Sequence, residues 1–196
     1  MPASSVHRLN IVRAAAKLFR KNGYSKTGLT EILAESKAPK GSLYYYFPQG
    51  KEQLGEEALR FSARMAVDAL EQLRRENATA ASLLRAFAAL LAEWMERSAF
   101  RDGCPMATTI LETVPQSAEL SLAAREGFAA WRGIFEDMLH SDGAKPDDAL
   151  RLANLAIAVL EGSLIQARVA QDCSPIIESA EEIAALMSLR SNRPDT

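Results

Sequence analysis

Residues 27–47 read TGLTEILAESKAPKGSLYYYF, the pattern of two short helices joined by a tight turn. Thr27 is suited to cap the first helix, because a threonine side chain accepts hydrogen bonds from the free amides of a first helical turn. That helix is expected to end near Ser36, since the segment Lys37-Ala38-Pro39 disfavours helical backbone angles. The second short helix is then expected over residues 40–47.

The segment before this stretch supplies the hydrophobic core that two short helices cannot form alone. Ile11, Ala15, Leu18 and Phe19 recur at helical spacing, and the pair Asn22-Gly23 after them is typical of a helix end. We expect this first helix to pack against the apolar residues of the stretch, namely Ile32, Leu33, Leu43 and Phe47. The opposite face of the second short helix is left exposed.

Helical spacing of apolar residues continues to the end of the chain, and the alternation typical of strands is nearly absent. A long helix is expected over residues 51–76. The fold class is therefore predicted to be all-α with about nine helices, in which an N-terminal three-helix head (residues 1–50) carries a larger α-helical body (residues 51–196). Further helices are expected near residues 83–94, 105–115, 124–138, 146–171 and 176–190.

The composition is that of a globular protein, with 48% hydrophobic and 24% charged residues. No run of 18 apolar residues occurs, and the start MPASSVHRLN lacks the apolar segment of a secretory signal. Two cysteines, Cys104 and Cys173, cannot form a disulfide framework, which fits a reducing compartment. We therefore expect a cytoplasmic protein without a membrane partner.

Charge is distributed unevenly along the chain. Residues 1–51 carry nine lysines and arginines against two glutamates, whereas the remainder carries fourteen basic and twenty-three acidic side chains. A basic head on an acidic body indicates that the head meets a polyanion, although a merely solvated basic face would have the same composition.

The second short helix carries side chains suited to DNA on its outward face. A cation at the helix start, a glycine that admits a close approach, a short hydroxyl and long-reaching tyrosines can bind phosphates and base edges in a major groove. Three consecutive tyrosines cannot all face DNA from one helix, so one is expected to pack inward. A further lysine at the next helix N-terminus adds charge where phosphate is already favoured. These candidates are Lys40, Gly41, Ser42, Tyr44, Tyr45, Tyr46 and Lys51.

This segment resembles the helix-turn-helix of the TetR family of bacterial repressors. The run Gly41-Ser-Leu-Tyr-Tyr-Tyr-Phe47, followed by Lys51-Glu-Gln-Leu54, is similar to the family's ending of the recognition helix and the start of the next, and the resemblance covers about residues 8–60. The insertion in FPQGKEQL and the segment Gly103-Cys-Pro-Met-Ala107 resemble the family's branch around the LmrA and YxaF repressors.

The resemblance implies a homodimeric repressor that binds a pseudo-palindromic double-stranded DNA operator and is released by a small-molecule effector. It also implies that Thr27 and Gly28, where the first short helix starts, contact DNA. Two residues depart from the family pattern. Lys37 replaces the usual turn glycine, at a steric cost if the turn is left-handed, and Pro39 replaces the serine that opens the recognition helix.

Aromatic and methionine side chains of the body are candidates to line an apolar effector pocket, because the family's body usually holds one. The same side chains could equally form plain core. Polar residues that could orient an effector are Thr108, Thr109, Glu112, Arg132 and Gln166. An effector that changed the inclination of the helix over residues 51–76 would release DNA. The candidate pocket residues are Trp94, Met106, Ile110, Phe128, Trp131 and Phe135.

The last two long helices carry more apolar residues than one face of a monomer needs. We expect them to pair with their copies in a second subunit as a four-helix bundle, which would place two heads about 34 Å apart on DNA. The residues concerned are Leu155, Ile157, Val159, Leu160, Leu164, Ile165, Ile176, Ile177 and Ile183.

Two other functions remain open from sequence. One is a regulator without an inducer, either constitutive or redox-controlled through Cys104, whose position at a helix N-terminus can lower a thiol pKa. The other is a helical enzyme or carrier that uses the body pocket. The chain lacks a nucleophile elbow, a P-loop, a dinucleotide fingerprint and a metalloprotease motif, and His7 and His140 lie apart. We therefore predict no enzymatic activity, no metal site and no cofactor.

Overall fold

A computed structural model of the chain describes residues 3–39 and 41–191. Within these residues it contains nine α-helices and no strand, which confirms the predicted fold class. The helices are α1 (Ala3–Asn22), α2 (Leu29–Ser36), α3 (Ser42–Tyr46), α4 (Lys51–Arg74), α5 (Ala80–Arg97), α6 (Pro105–Thr113), α7 (Ala118–Ser141), α8 (Pro146–Ala170) and α9 (Ser174–Ser191).

The chain divides into two compact units that are not continuous in sequence. The first unit comprises residues 1–64 and 104–127, and the second comprises residues 65–103 and 128–196. Helix α6 thus belongs to the same unit as α1, α2 and α3, although 58 residues separate it from α3. The functional boundary after residue 50 stays a prediction.

The core of the first unit forms where the sequence pattern placed it. Ile11 and Phe19 of α1 are almost fully buried together with Ile32 of α2, Leu43 of α3 and the adjoining Phe47. Helix α4 adds further apolar side chains to the same cluster, including Leu54 and Ala58. Helices α2 and α3, which are too short to be stable alone, are therefore held against α1 and α4 by shared burial of apolar side chains.

The helix boundaries follow local backbone preferences, with one exception to the predictions. Gly23 ends α1 with a positive φ of 87°, as expected for a glycine that follows a helix. The N-cap of α2 is Gly28, and it makes no side-chain capping bond. The prediction that Thr27 caps this helix is therefore wrong, because Thr27 is turned into the core.

The second unit is built mainly from α5, α8 and α9, which pack against one another. Leu83 and Leu84 of α5, Ala153 of α8 and Ala184 of α9 are almost fully buried in it. Arg85 binds the Glu181 carboxylate through Nε at 2.7 Å and Nη2 at 2.8 Å, and so joins α5 to α9. Alanines at the contacts let these helices approach closely.

Helix α8 is the one described helix whose length and hydropathy would suit a membrane span. Its most apolar window has a mean hydropathy of 1.3, and 39% of that window is buried. One face of α8 packs on α9 and α5, so part of its apolar character lies on the opposite, exposed face.

Candidate nucleic-acid interface

Helix α3 presents a polar aromatic face opposite its buried one. Leu43 and Phe47 are buried at 1% and 0% exposure, whereas Tyr44 and Tyr45 keep 66% and 77% of their surface exposed. A side chain at Gly41 would meet no atom within 4 Å, so the backbone just before α3 is open to a close approach. This face has the shape that a recognition helix needs to enter a groove.

Tyr46 is the tyrosine that turns inward. It is half-buried against the core of the first unit, and its ring lies edge-on to Tyr45 at 4.9 Å and to Phe47 at 6.5 Å between centroids. The expectation that one of the three tyrosines packs inward is confirmed. Tyr44 and Tyr45 are left as the outward pair.

Two predicted contacts flank the start of α3. Ser42 is half-buried, and its hydroxyl donates to the carbonyl of Pro39 at 2.6 Å, which leaves oxygen lone pairs available to accept from a partner. Lys40 lies outside the described residues, and a DNA contact there stays a prediction.

Of the two DNA contacts predicted at the start of α2, Thr27 is buried and Gly28 is exposed. Thr27 is fully buried, and its hydroxyl donates to the carbonyl of Gly23 at 2.7 Å. Its side chain therefore supports the turn from within and does not face a groove. Gly28 is exposed, with open space where a side chain would lie, so a contact here would be made by the main chain.

Lys51, at the first position of α4, is engaged within the protein. Its Nζ donates to the carbonyl of Ser25 at 3.3 Å and lies 4.6 Å from the centre of the Tyr24 ring. Burial lowers the pKa of this ammonium group. Lys51 therefore ties α4 to the turn between α1 and α2, in addition to the phosphate contact that its position suggests.

The turn between α2 and α3 keeps a left-handed residue without a glycine. Lys37 has φ 54° and ψ 26°, and its amide donates to the carbonyl of Ala34. A side chain in this conformation costs about 1–2 kcal/mol. The turn geometry of the helix-turn-helix is thus kept in spite of the substitution.

Glu112, which the sequence offered as a polar residue that could orient an effector, binds the turn between α1 and α2. Its carboxylate accepts hydrogen bonds from the amides of Tyr24 at 3.1 Å and Ser25 at 2.7 Å. Sequence spacing gave no signal for this contact, because the partners lie 88 and 87 residues apart in the chain.

The candidate pocket residues are divided between the two units. Met106 and Ile110 belong to the first unit, where Met106 is fully buried and packs so tightly on Gly127 that a side chain there would collide with its thioether. In the second unit, Trp131 is buried and meets Phe128 edge-to-face at 5.5 Å between centroids. Phe135 is also fully buried, whereas Trp94 remains 39% exposed. Pocket lining by these residues stays a prediction.

A cleft of about 340 Å³ opens in the first unit between α1 and α4. It is lined largely by charged side chains, and it is therefore unlike the apolar pocket expected from the family. Arg8 pairs with Glu57, and Arg60 pairs with Glu56 and Glu126, so most of this charge is balanced within the unit.

Cys104 and Cys173 do not form a disulfide with each other. Cys104 precedes α6 as its N-cap residue and is buried. Cys173 is half-buried, and burial raises its pKa, which disfavours the reactive thiolate. Within residues 3–39 and 41–191, no three histidine, cysteine or acidic side chains group in a way that could hold a metal ion.

Comparison with known families matches most of the chain. Residues 11–58 match the family described as bacterial regulatory proteins, tetR family. Residues 80–182 match the family described as transcriptional regulator LmrA/YxaF-like, C-terminal domain. The first match contains the whole of α2 and α3, and the second contains α6 and α8.

Two curated relatives from Bacillus subtilis (strain 168) are similar over nearly their full length. The uncharacterized HTH-type transcriptional regulator YxaF is 30% identical over 92% of this chain and 94% of the relative. The HTH-type transcriptional regulator LmrA is 31% identical over 92% and 96%. Among solved structures, a TetR transcriptional regulator from Chloroflexus aurantiacus superimposes with a TM-score of 0.82 at 26% identity, over 97% of this chain and 98% of that one.

Proposed function

Because this chain belongs to the TetR family of DNA-binding transcriptional regulators and carries an LmrA/YxaF-like C-terminal domain, we propose that it is a homodimeric repressor released from its operator by a small apolar molecule. Its relatives are regulators and not enzymes. In this proposal residues 1–50 read DNA, and residues 51–196 bind the effector and dimerise. The protein acts in the cytoplasm without a membrane partner.

The exposed face of α3 is the observation that carries the DNA-reading part of the proposal. Tyr44 and Tyr45 point outward beside an open backbone at Gly41, while the other face of the helix is locked into the core. The same unit also carries exposed basic side chains, among them Arg13, Lys21 and Lys26. A helix that is fixed in a core and presents aromatic hydroxyls, in a segment rich in basic residues, suits phosphate anchoring together with base contacts.

A titration against DNA tests this part directly. The probe is a duplex that the wild-type protein selects from a random pool, and binding is measured by fluorescence anisotropy at 50 and 200 mM salt. If a dimer neutralises about 6–10 phosphates, affinity should fall by about 10³–10⁵-fold between these concentrations. Failure to enrich any sequence, or binding indifferent to salt, would contradict the proposal.

The homodimer is supported by the exposed face of α8. Leu155, Ala158, Gly162, Ile165 and Val169 follow one another at alternating steps of three and four residues, the spacing of a helix–helix seam. Leu155, Ile165 and Val169 are 39%, 57% and 82% exposed. A side chain at Gly162 would meet nothing within 4 Å, so a second helix could approach closely there. We call these five residues the α8 seam, and a second copy of this chain is its proposed occupant.

Only part of the apolar surplus noted in the sequence is available for this pairing. Leu160, Leu164 and Ile176 are buried within the second unit and serve its own core. Ile165 and Ile177 are exposed, and they are the better candidates for contact with a partner.

The effector part of the proposal is supported by the aromatic cluster of the second unit. Phe128, Trp131 and Phe135 lie on one helix at successive steps of three and four residues, and the first two rings are in contact. Aromatic walls with few polar groups favour apolar, ring-containing ligands. An inducer-free regulator remains the alternative if this cluster is only core.

A further inference from the structure

The turn between α1 and α2, residues 23–28, is held by a residue from a distant helix. We call it the α1–α2 turn. Glu112 of α6 reaches it with both carboxylate oxygens, one accepting from the amide of Tyr24 at 3.1 Å and the other from that of Ser25 at 2.7 Å. Two adjacent amides that end on one carboxylate fix both the position and the orientation of the turn.

Gly23 shapes the turn so that the carboxylate can reach it. Its φ of 87° is a conformation that residues with a side chain rarely adopt. A Cβ at this position would also collide with Oε1 of Glu112. Glycine therefore suits this position through its backbone conformation, and it leaves room for the carboxylate of Glu112.

The same turn supports the helices that present the DNA-reading face. Thr27 is buried and bonds back to Gly23, which closes the turn on itself. Ser25 accepts from Lys51 at the start of α4, and the ring of Tyr24 lies 5.0 Å from that of Phe19 in the core. A shift of the turn would therefore move the start of α2 relative to α1 and α4.

Glu112 is negatively charged, so its charge by itself would oppose DNA binding. A hydrogen bond from the Ser25 side chain, the amides of Ser25 and Tyr24, and the charge of Lys51 hold the pKa of this carboxyl below its usual range. The group is therefore ionised at neutral pH, in a unit whose residues 1–51 carry nine basic side chains against two glutamates. If its charge alone mattered, removing it would strengthen binding to a polyanion.

We propose that Glu112 is a positioning residue for DNA binding, which fixes the α1–α2 turn and thereby couples α6 to the DNA-reading helices. This inference rests on the DNA-binding function proposed above. In this proposal α6 positions the α1–α2 turn through Glu112, and this role does not depend on an effector.

The test compares Glu112→Gln and Glu112→Ala with wild type on the selected duplex, at two salt concentrations and well below the melting temperature. Alanine should weaken binding by about 5–150-fold, the range of an ordinary coupling free energy. Glutamine keeps an acceptor oxygen and should lie between alanine and wild type. The dependence of affinity on salt should not change, because no phosphate contact is lost.

Glu119→Gln is the matched control, since Glu119 is an exposed glutamate of the same unit. It should leave binding unchanged or slightly stronger. Equal or tighter binding by both Glu112 variants would overturn the proposal and leave only the electrostatic effect. If the wild-type protein selected no DNA sequence, the proposed DNA-binding function would fail. If wild type and the Glu112 variants bound equally well, only the positioning role of Glu112 would fail.

A double-mutant cycle with Gly23→Ala separates the contact between Glu112 and the α1–α2 turn from general destabilisation. The backbone strain of Gly23→Ala is present in both backgrounds, so non-additivity in DNA affinity isolates the contact with Glu112. Hydrogen exchange should show faster exchange at Tyr24 and Ser25 in Glu112→Ala while α5 is unchanged. Additive effects with unchanged exchange at these amides would overturn the proposal even if a variant proved less stable.

Discussion

At the scale of single residues, the substitutions that depart from the family pattern are the most informative. Lys37 adopts the left-handed conformation that the turn requires, although it is not a glycine. The sequence predicted strain at this position, because the flanking motif calls for a left-handed turn residue and a lysine adopts that conformation at a cost. The inward role of Thr27 was not predictable, since a threonine before a helix is equally suited to capping and to burial.

Lys37→Gly should therefore stabilise the protein. Relief of about 1–2 kcal/mol of strain is partly offset by the greater freedom of glycine in the unfolded chain, about 0.4–1 kcal/mol. The net increase in the free energy of unfolding should be about 0.5–1 kcal/mol, measured by urea denaturation. Lys37→Ala, which removes the charge but keeps Cβ, is the control and should give no such gain. Equal effects of both variants would argue against strain at this position.

The two neighbouring tyrosines of α3 should separate DNA binding from stability. Tyr45→Ala removes an exposed side chain, so stability should change by less than about 0.5 kcal/mol, while affinity for the selected duplex falls by about 1–3 kcal/mol. Tyr46→Ala opens the core and should lower the free energy of unfolding by about 1–3 kcal/mol. Thermal melts and anisotropy titrations of both variants check this. The reverse pattern would mean that the exposed face of α3 does not read DNA.

At the scale of helices, the sequence was sufficient to predict that each helix exists, but not which helices pack against one another. Apolar periodicity predicted all nine described helices, because each buries one face. It could not tell which apolar residues of α8 serve the monomer, since Leu164 and Ile165 are adjacent in sequence but the first is buried and the second is exposed. Nor could it link α6 to α1, because that contact depends on tertiary packing.

The α8 seam gives a prediction at this scale. Ile165→Glu places a charge on the exposed seam and should shift the protein from dimer to monomer, with loss of operator affinity and little change in helicity. Ala130→Glu, at an exposed position of α7, is the matched control and should remain dimeric. Leu164→Glu should instead unfold the second unit, because that side chain is buried. Sedimentation velocity and circular dichroism distinguish these outcomes, and a wild-type protein that sediments as a stable monomer would refute the pairing.

At the scale of the whole molecule, two compact units share one chain, and the first unit combines the DNA-reading helices with α6. The motif over residues 27–47 made the DNA-binding function predictable, because its spacing is specific and local. The effector pocket is less predictable, since buried aromatic residues serve a core and a cavity wall equally well. The sequence therefore identified the class of regulator and left the chemistry of its effector open.

Effector binding can be tested through the aromatic cluster of the second unit. An apolar aromatic compound that binds there should weaken operator binding by about 5–150-fold at saturation. Trp131→Phe should shift this response to higher compound concentrations, while DNA affinity without the compound stays close to wild type. A screen that yields neither a change in tryptophan fluorescence nor thermal stabilisation would favour the inducer-free regulator.

The central claim, that a dimer reads DNA through α3, is tested most directly by the stoichiometry and footprint of the wild-type protein on its selected duplex. Native mass spectrometry should show two protomers per duplex. Hydroxyl-radical footprinting should show two inverted half-sites about 34 Å apart, which is one turn of the double helix. A single protomer on one asymmetric site would contradict the claim.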